Sequence, residues 1–81
     1  MNWSVKEKEI LGLIEFQNQT QLAEFILELS KYSDCVNHHA DFNISYNTLN
    51  ISITTHDFGG LTQKDYDLMD EIDRIKKRMT N

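Results

Sequence analysis

Proline is absent from this 81-residue chain, glycine occurs three times, and cysteine and tryptophan once each. The lone cysteine, Cys35, has no partner for an internal disulfide, which fits a reducing compartment. No apolar run approaches the ~20 residues that span a bilayer, and the N-terminus has no charged-then-apolar leader pattern, so a cytoplasmic protein is expected. Basic residues are also scarce: eight Lys and Arg stand against thirteen Asp and Glu, for a formal charge of −5. Phosphate-binding surfaces need clustered positive charge, so nucleic acid is not an expected partner. Arg74, Lys76, Lys77 and Arg78 do cluster, but at the end of a predicted helix, where cations complement the macrodipole.

What is present describes a single domain over residues 1–81. Hydrophobic residues make up 40% of the chain, without linkers, repeats or low-complexity segments, as in a compact globular fold. A chain of this length buries only roughly 60–65% of its unfolded surface, so modest stability and self-association are expected.

The segment from Glu9 to Phe16 is apolar on both parities, as in a strand lying centrally or covered on both sides, and Trp3 and Val5 before it suggest a further short strand. Leu22, Ala23, Phe25, Ile26 and Leu29 form a helical stripe, predicting a helix from about Thr20 to about Tyr32, with a loop from Asp34 onward. Strict alternation on either side of Asn47-Thr48 predicts a hairpin. Leu49, Ile51, Ile53 and Thr55 share its inner face, and His56 lies on the polar parity. After Gly59-Gly60, Thr62-x-x-Asp65 resembles a capping box, and Leu68, Ile72, Ile75 and Met79 predict a helix from about Thr62 to Arg78. Asp70 with Arg74 and Asp73 with Lys77 are spaced as i,i+4 ion pairs. The order β-β-α-β-β-α predicts a two-layer α+β domain, a four-stranded antiparallel sheet with helices on one face.

All three histidines fall between His38 and His56. Taken singly, each is ordinary as a solvent-facing or hydrogen-bonded side chain. Together they are candidates for proton transfer, because imidazole titrates near neutrality. Cys35 near His38 invites a metal reading, but consecutive histidines in extended chain point to opposite sides and ligate one ion poorly, so no metal site is expected. Asp65 has an equally simple structural reading, since the third position of a helix favours a carboxylate.

Asp34-x3-His38-His39, then Tyr46, Thr55-His56, Gly60-Leu61-Thr62 and Asp65 resemble the signature of the pterin-4a-carbinolamine dehydratases, and the likeness extends over nearly the whole chain. Two positions depart from the pattern: Ala40 stands where the family usually has proline, and Phe42 where many members have tryptophan. The resemblance implies a hydro-lyase that dehydrates a 4a-hydroxytetrahydropterin, with the pterin as substrate and no cofactor. It implies His38, His39, His56 and Asp65 as catalytic residues: His38 and His56 as an acid–base pair, His39 orienting the pterin and Asp65 tuning an imidazole. Asp34, Phe42 and Thr55 are the implied substrate-binding residues, although the residues themselves favour core packing for Phe42, Tyr46 and Leu61, with a pterin-facing wall as the alternative. Thr55 lies on the core-facing parity, so its contact would come through the backbone. The resemblance further implies a homodimer or homotetramer. It leaves open a second kind of function, a catalytically silent pterin-binding or dimerisation scaffold.

Overall fold

The computed structural model describes residues 2–79, with side chains from Trp3 onward, so the predicted 1–81 domain is described over that range. The chain runs β1 (Asn2–Val5), β2 (Ile10–Glu15), α1 (Gln19–Val36), β3 (Asp41–Ser45), β4 (Thr48–Ile53) and α2 (Gln63–Met79). The strands form one antiparallel sheet in the order β1-β2-β4-β3, and the α+β architecture is the predicted one. Among the described residues, no helix is long and apolar enough to cross a membrane.

Strand parity explains which face carries the helices. Ile10 and Ile14 of β2 and Leu49, Ile51 and Ile53 of β4 point to one side, where Leu22, Phe25 and Leu29 of α1 and Leu68, Ile72 and Ile75 of α2 cover them. The opposite face is left to solvent. β2 is central, but covered on one side only: Leu13 remains 49% exposed, so its two-sided apolar pattern marks position within the sheet rather than double burial.

Trp3 ties the first strand to the last helix. It pairs with Gly12, lays its ring over that glycine, and donates from Nε1 to Asp73 Oδ1 at 3.0 Å. A Cβ at Gly12 would stand 2.7 Å from Trp3 Cε3, so the absence of a side chain there is what lets the indole close over the sheet. Gly12→Ala should therefore cost about 1–3 kcal/mol of stability by overpacking, read as a lower urea midpoint. Arg74 pairs with Glu71, three residues before it, where the i,i+4 spacing had pointed to Asp70.

Two boundaries differ from expectation. Helix α1 continues four residues past Tyr32 to Val36, taking Asp34 and Cys35 out of the predicted loop. It stops at Asn37, which adopts the left-handed conformation (φ 54°). The backbone N–H groups of Asn37 and His38 both return to the carbonyl of Ser33, a Schellman-type closure in which asparagine replaces the usual glycine. The β3–β4 turn falls on Tyr46-Asn47, one residue earlier than predicted, with Tyr46 at φ 50°. Tyr46 is 64% exposed and Phe42 37% exposed, which corrects the core reading of both; Leu61 does pack against the core. The reason is coverage: β3 is an edge strand beyond the reach of the helices, and all five of its residues are exposed.

Candidate functional site

The C-terminal closure of α1, the end of β4 and the start of α2 meet at one end of the sheet. Between them lies an open recess of ≈ 330 Å³ lined by Asn37, His38, His39, Thr54, Thr55, His56, Asp57 and Lys64. All three histidines reach it. The αL turn at Asn37 swings His38 and His39 back beneath the helix end, while His56 follows Thr55, which bridges to Gly60 and closes a tight turn with Gly59 at φ 78°.

Each imidazole has its own carboxylate. His38 Nε2 lies 2.7 Å from Asp65 Oδ1 and His39 Nε2 2.8 Å from Asp34 Oδ1; His56 Nε2 lies 3.6 Å from Asp41 Oδ2, beyond hydrogen-bond length. Burial separates the pairs. The His38 side chain is 10% exposed and that of Asp65 is 0% exposed, whereas His39 and His56 stand largely in solvent. The alternation expected for consecutive histidines holds in their partners: one ring turns inward to α2, the next outward to α1.

Asp65 is the organising group. Its Oδ2 accepts from Thr55 Oγ1 at 2.7 Å and from the Thr62 backbone N–H at 2.8 Å, the latter being the reciprocal arm of the capping box. Thr62 Oγ1 lies 2.8 Å from Thr55 Oγ1; since Thr55 gives its single proton to Asp65, Thr62 is the donor between the two hydroxyls. Burial pushes the Asp65 carboxyl up, but the hydrogen bonds from Thr55, Thr62 and His38 outweigh it and hold the pKa below the ordinary carboxylate value. An ionised carboxylate only accepts, so His38 Nε2 carries a proton and Nδ1 is left as the nitrogen free to exchange one.

Of the sequence-derived candidates, the structure brings His38, His39, His56 and Thr55 to the recess, with Asp65 and Asp34 behind two of the rings. The Thr55 side chain is engaged with Asp65, as the inward parity of its strand required. Phe42 lies on β3 outside the recess lining, and Tyr46 sits at the far end of that strand. Asn37, Thr54, Asp57 and Lys64 were not anticipated as lining residues, nor Asp41 as a neighbour of His56. All five adjoin an anticipated residue in sequence, which was the available signal; Asp41, beside Phe42, is brought near His56 by the register of β3. Cys35 is free and exposed, and among the described residues no group of three or more His, Cys, Asp or Glu is placed to hold a metal ion.

Comparison with known proteins identifies the family and the fold. Residues 1–75 match the family described as pterin 4 alpha carbinolamine dehydratase. Proteins of Picosynechococcus sp. and Nostoc punctiforme, which carry pterin-4-alpha-carbinolamine dehydratase as a provisional name, are 38% and 40% identical over 73 and 74 residues. Those alignments cover 90% and 91% of this chain and 79% and 80% of theirs. In fold, the chain superposes on a transcriptional coactivator/pterin dehydratase from Brucella melitensis with a TM-score of 0.86 at 20% identity, covering 90% of this chain and 80% of that one. It also superposes on a pterin dehydratase-like protein identified as a RuBisCO assembly factor of the alpha-carboxysome, with a TM-score of 0.73 at 15% identity, covering 91% and 86%. Matched over nearly its full length and by relatives well above the identity at which fold alone is shared, the chain belongs to the pterin 4 alpha carbinolamine dehydratase family.

Proposed function

We propose that this protein dehydrates a 4a-hydroxytetrahydropterin to the quinonoid dihydropterin by histidine acid–base catalysis. The observation that carries the reading is the convergence of three imidazoles on one recess, the innermost fixed by a buried, ionised Asp65. In the reaction the hydroxyl leaves C4a, the proton leaves N5, a C4a–N5 double bond forms and water is released. One group must protonate the departing hydroxyl and another must take the N5 proton, each worth roughly 10²–10⁴ in rate when positioned. His38 and His56 form that pair, and His39, steered by Asp34, orients the ring. No hydride, phosphate or electron moves, so no cofactor is called for.

A pair of imidazoles working in opposite protonation states gives a rate that falls on both sides of an optimum near neutrality. The rate profile is expected to be bell-shaped over roughly pH 5 to 9; a flat profile across that interval would remove the acid–base pair from the account. The direct test mixes the purified protein with enzymatically generated 4a-hydroxytetrahydropterin and follows ultraviolet absorbance.

The uncovered edge strand favours self-assembly. Antiparallel pairing of β3 with a second copy about Asn43 would set Phe42 against Ile44 in both directions and Asp41 against Ser45, with no like charges opposed. A symmetric dimer or tetramer is the expected state, and light scattering after gel filtration should show more than one chain per particle. Ile44→Lys should shift the mass toward one. The same strand supports a second reading, a catalytically silent pterin-binding or assembly scaffold. Folded protein that leaves the dehydration no faster than buffer does would select it.

A further inference from the structure

Most donors on the recess already have acceptors. Thr55 Oγ1 gives its proton to Asp65, Thr54 Oγ1 donates to the carbonyl of Lys8, and the Nε2 atoms of His38 and His39 face Asp65 and Asp34. Lys64 is different. It reaches the recess from the first turn of α2 and also lines a smaller cavity of ≈ 70 Å³ with Tyr32, Val36, His38 and Asp67. Among the described residues its ammonium makes no ion pair, neither with Asp57 on the recess nor with Asp67 one turn further along the helix. A cation in the first turn also opposes the helix macrodipole, so the fold itself gives no reason for a lysine there.

We propose that Lys64 is a specificity-determining residue of this recess, its ammonium holding the carbonyl oxygen at C4 of a 4-oxopterin, beside the reacting C4a carbon. The inference rests on the function proposed above. An ammonium carries three donors and no acceptor, so it matches a ring position bearing oxygen and mismatches one bearing an amino group. A hydrogen bond to a charged donor is the stronger kind, and a donor left facing a donor is costly. Lys64 adjoins Asp65 in the same helical turn. The group that would hold the carbonyl and the group that fixes the His38 ring are therefore carried by one rigid element, which sets the register of the bound ring against the imidazole.

The test is equilibrium binding of two stable ligands, a 7,8-dihydropterin and its 4-amino counterpart, to wild type, Lys64→Met, Lys64→Arg and Lys64→Glu by titration calorimetry. Wild type is expected to prefer the 4-oxo ligand by about tenfold or more, the size of a charge-assisted hydrogen bond. Lys64→Arg should keep that preference, Lys64→Met should abolish it, and Lys64→Glu should reverse it. A purely structural role would weaken both ligands alike and leave their ratio unchanged. Lys64 is exposed, so the variants should fold, as circular dichroism would verify. A ratio unchanged in Lys64→Met and Lys64→Glu, or no preference in wild type, overturns the assignment and leaves the dehydratase reading standing; wild type that binds neither ligand overturns both.

Discussion

Asp65→Asn is expected to lower turnover by about 10³–10⁴ and to destabilise the fold by about 1–3 kcal/mol. The amide has the shape of the carboxylate but half its acceptors. His38 Nε2, Thr55 Oγ1 and the Thr62 N–H all donate to Asp65, and an amide must turn its NH₂ toward one side of that set. Turned to His38, it forces Nε2 to accept and moves the ring proton to Nδ1, which leaves the wrong nitrogen protonated for the chemistry. Turned to the threonines, it leaves a helix-capping N–H without its acceptor in a buried site. Steady-state kinetics and urea unfolding read the two consequences separately, and a loss of turnover below about tenfold would mean that His38 does not act through Asp65. The acid dependence has a definite sign. Because the folded-state pKa of Asp65 is depressed, its contribution to stability is complete above the unfolded carboxylate value of 3.8 and is lost as the pH falls through the lower folded value. The stability gap between wild type and Asp65→Asn should therefore narrow below that pH.

His56→Ala should also remove most of the activity, about 10²–10⁴ in turnover, but should leave stability within about 0.5 kcal/mol. The side chain is 77% exposed, and the carboxylate it faces, that of Asp41, is 73% exposed at 3.6 Å. An exposed pair at that separation contributes little to folding. The contrast with Asp65 is diagnostic, since one substitution damages fold and rate together and the other only rate. If His56→Ala turns over at the wild-type rate, the acid–base pair must be sought between His38 and His39.

The alternation around Leu49, Ile51 and Ile53 and the helical spacing of Leu68, Ile72 and Ile75 were legible because period 2 and period 3.6 are written directly into the chain. Where burial and periodicity part company, the reading failed. Phe42 and Tyr46 look like core residues in sequence, yet Phe42 rides on an edge strand that no helix covers and Tyr46 on the turn that follows it. The end of α1 was misplaced because Asn37, a residue of ordinary polarity in a polar stretch, carries the left-handed closure that glycine more often signals. That closure also directs His38 and His39, so a one-residue conformational fact controls the part of the candidate site that α1 supplies.

The amino-acid sequence by itself determined the fold class, the inner face of the sheet and the short set of residues from which a proton-transfer site would be drawn, because hydrophobic period and local chemistry are properties of neighbouring residues. Only the tertiary structure decided which carboxylate serves which imidazole, that His38 is largely withdrawn from solvent while His39 and His56 are not, and that Lys64 and Asp57 share their recess. Those outcomes depend on strand register and on where a helix stops, and both are set by packing among segments far apart in the chain.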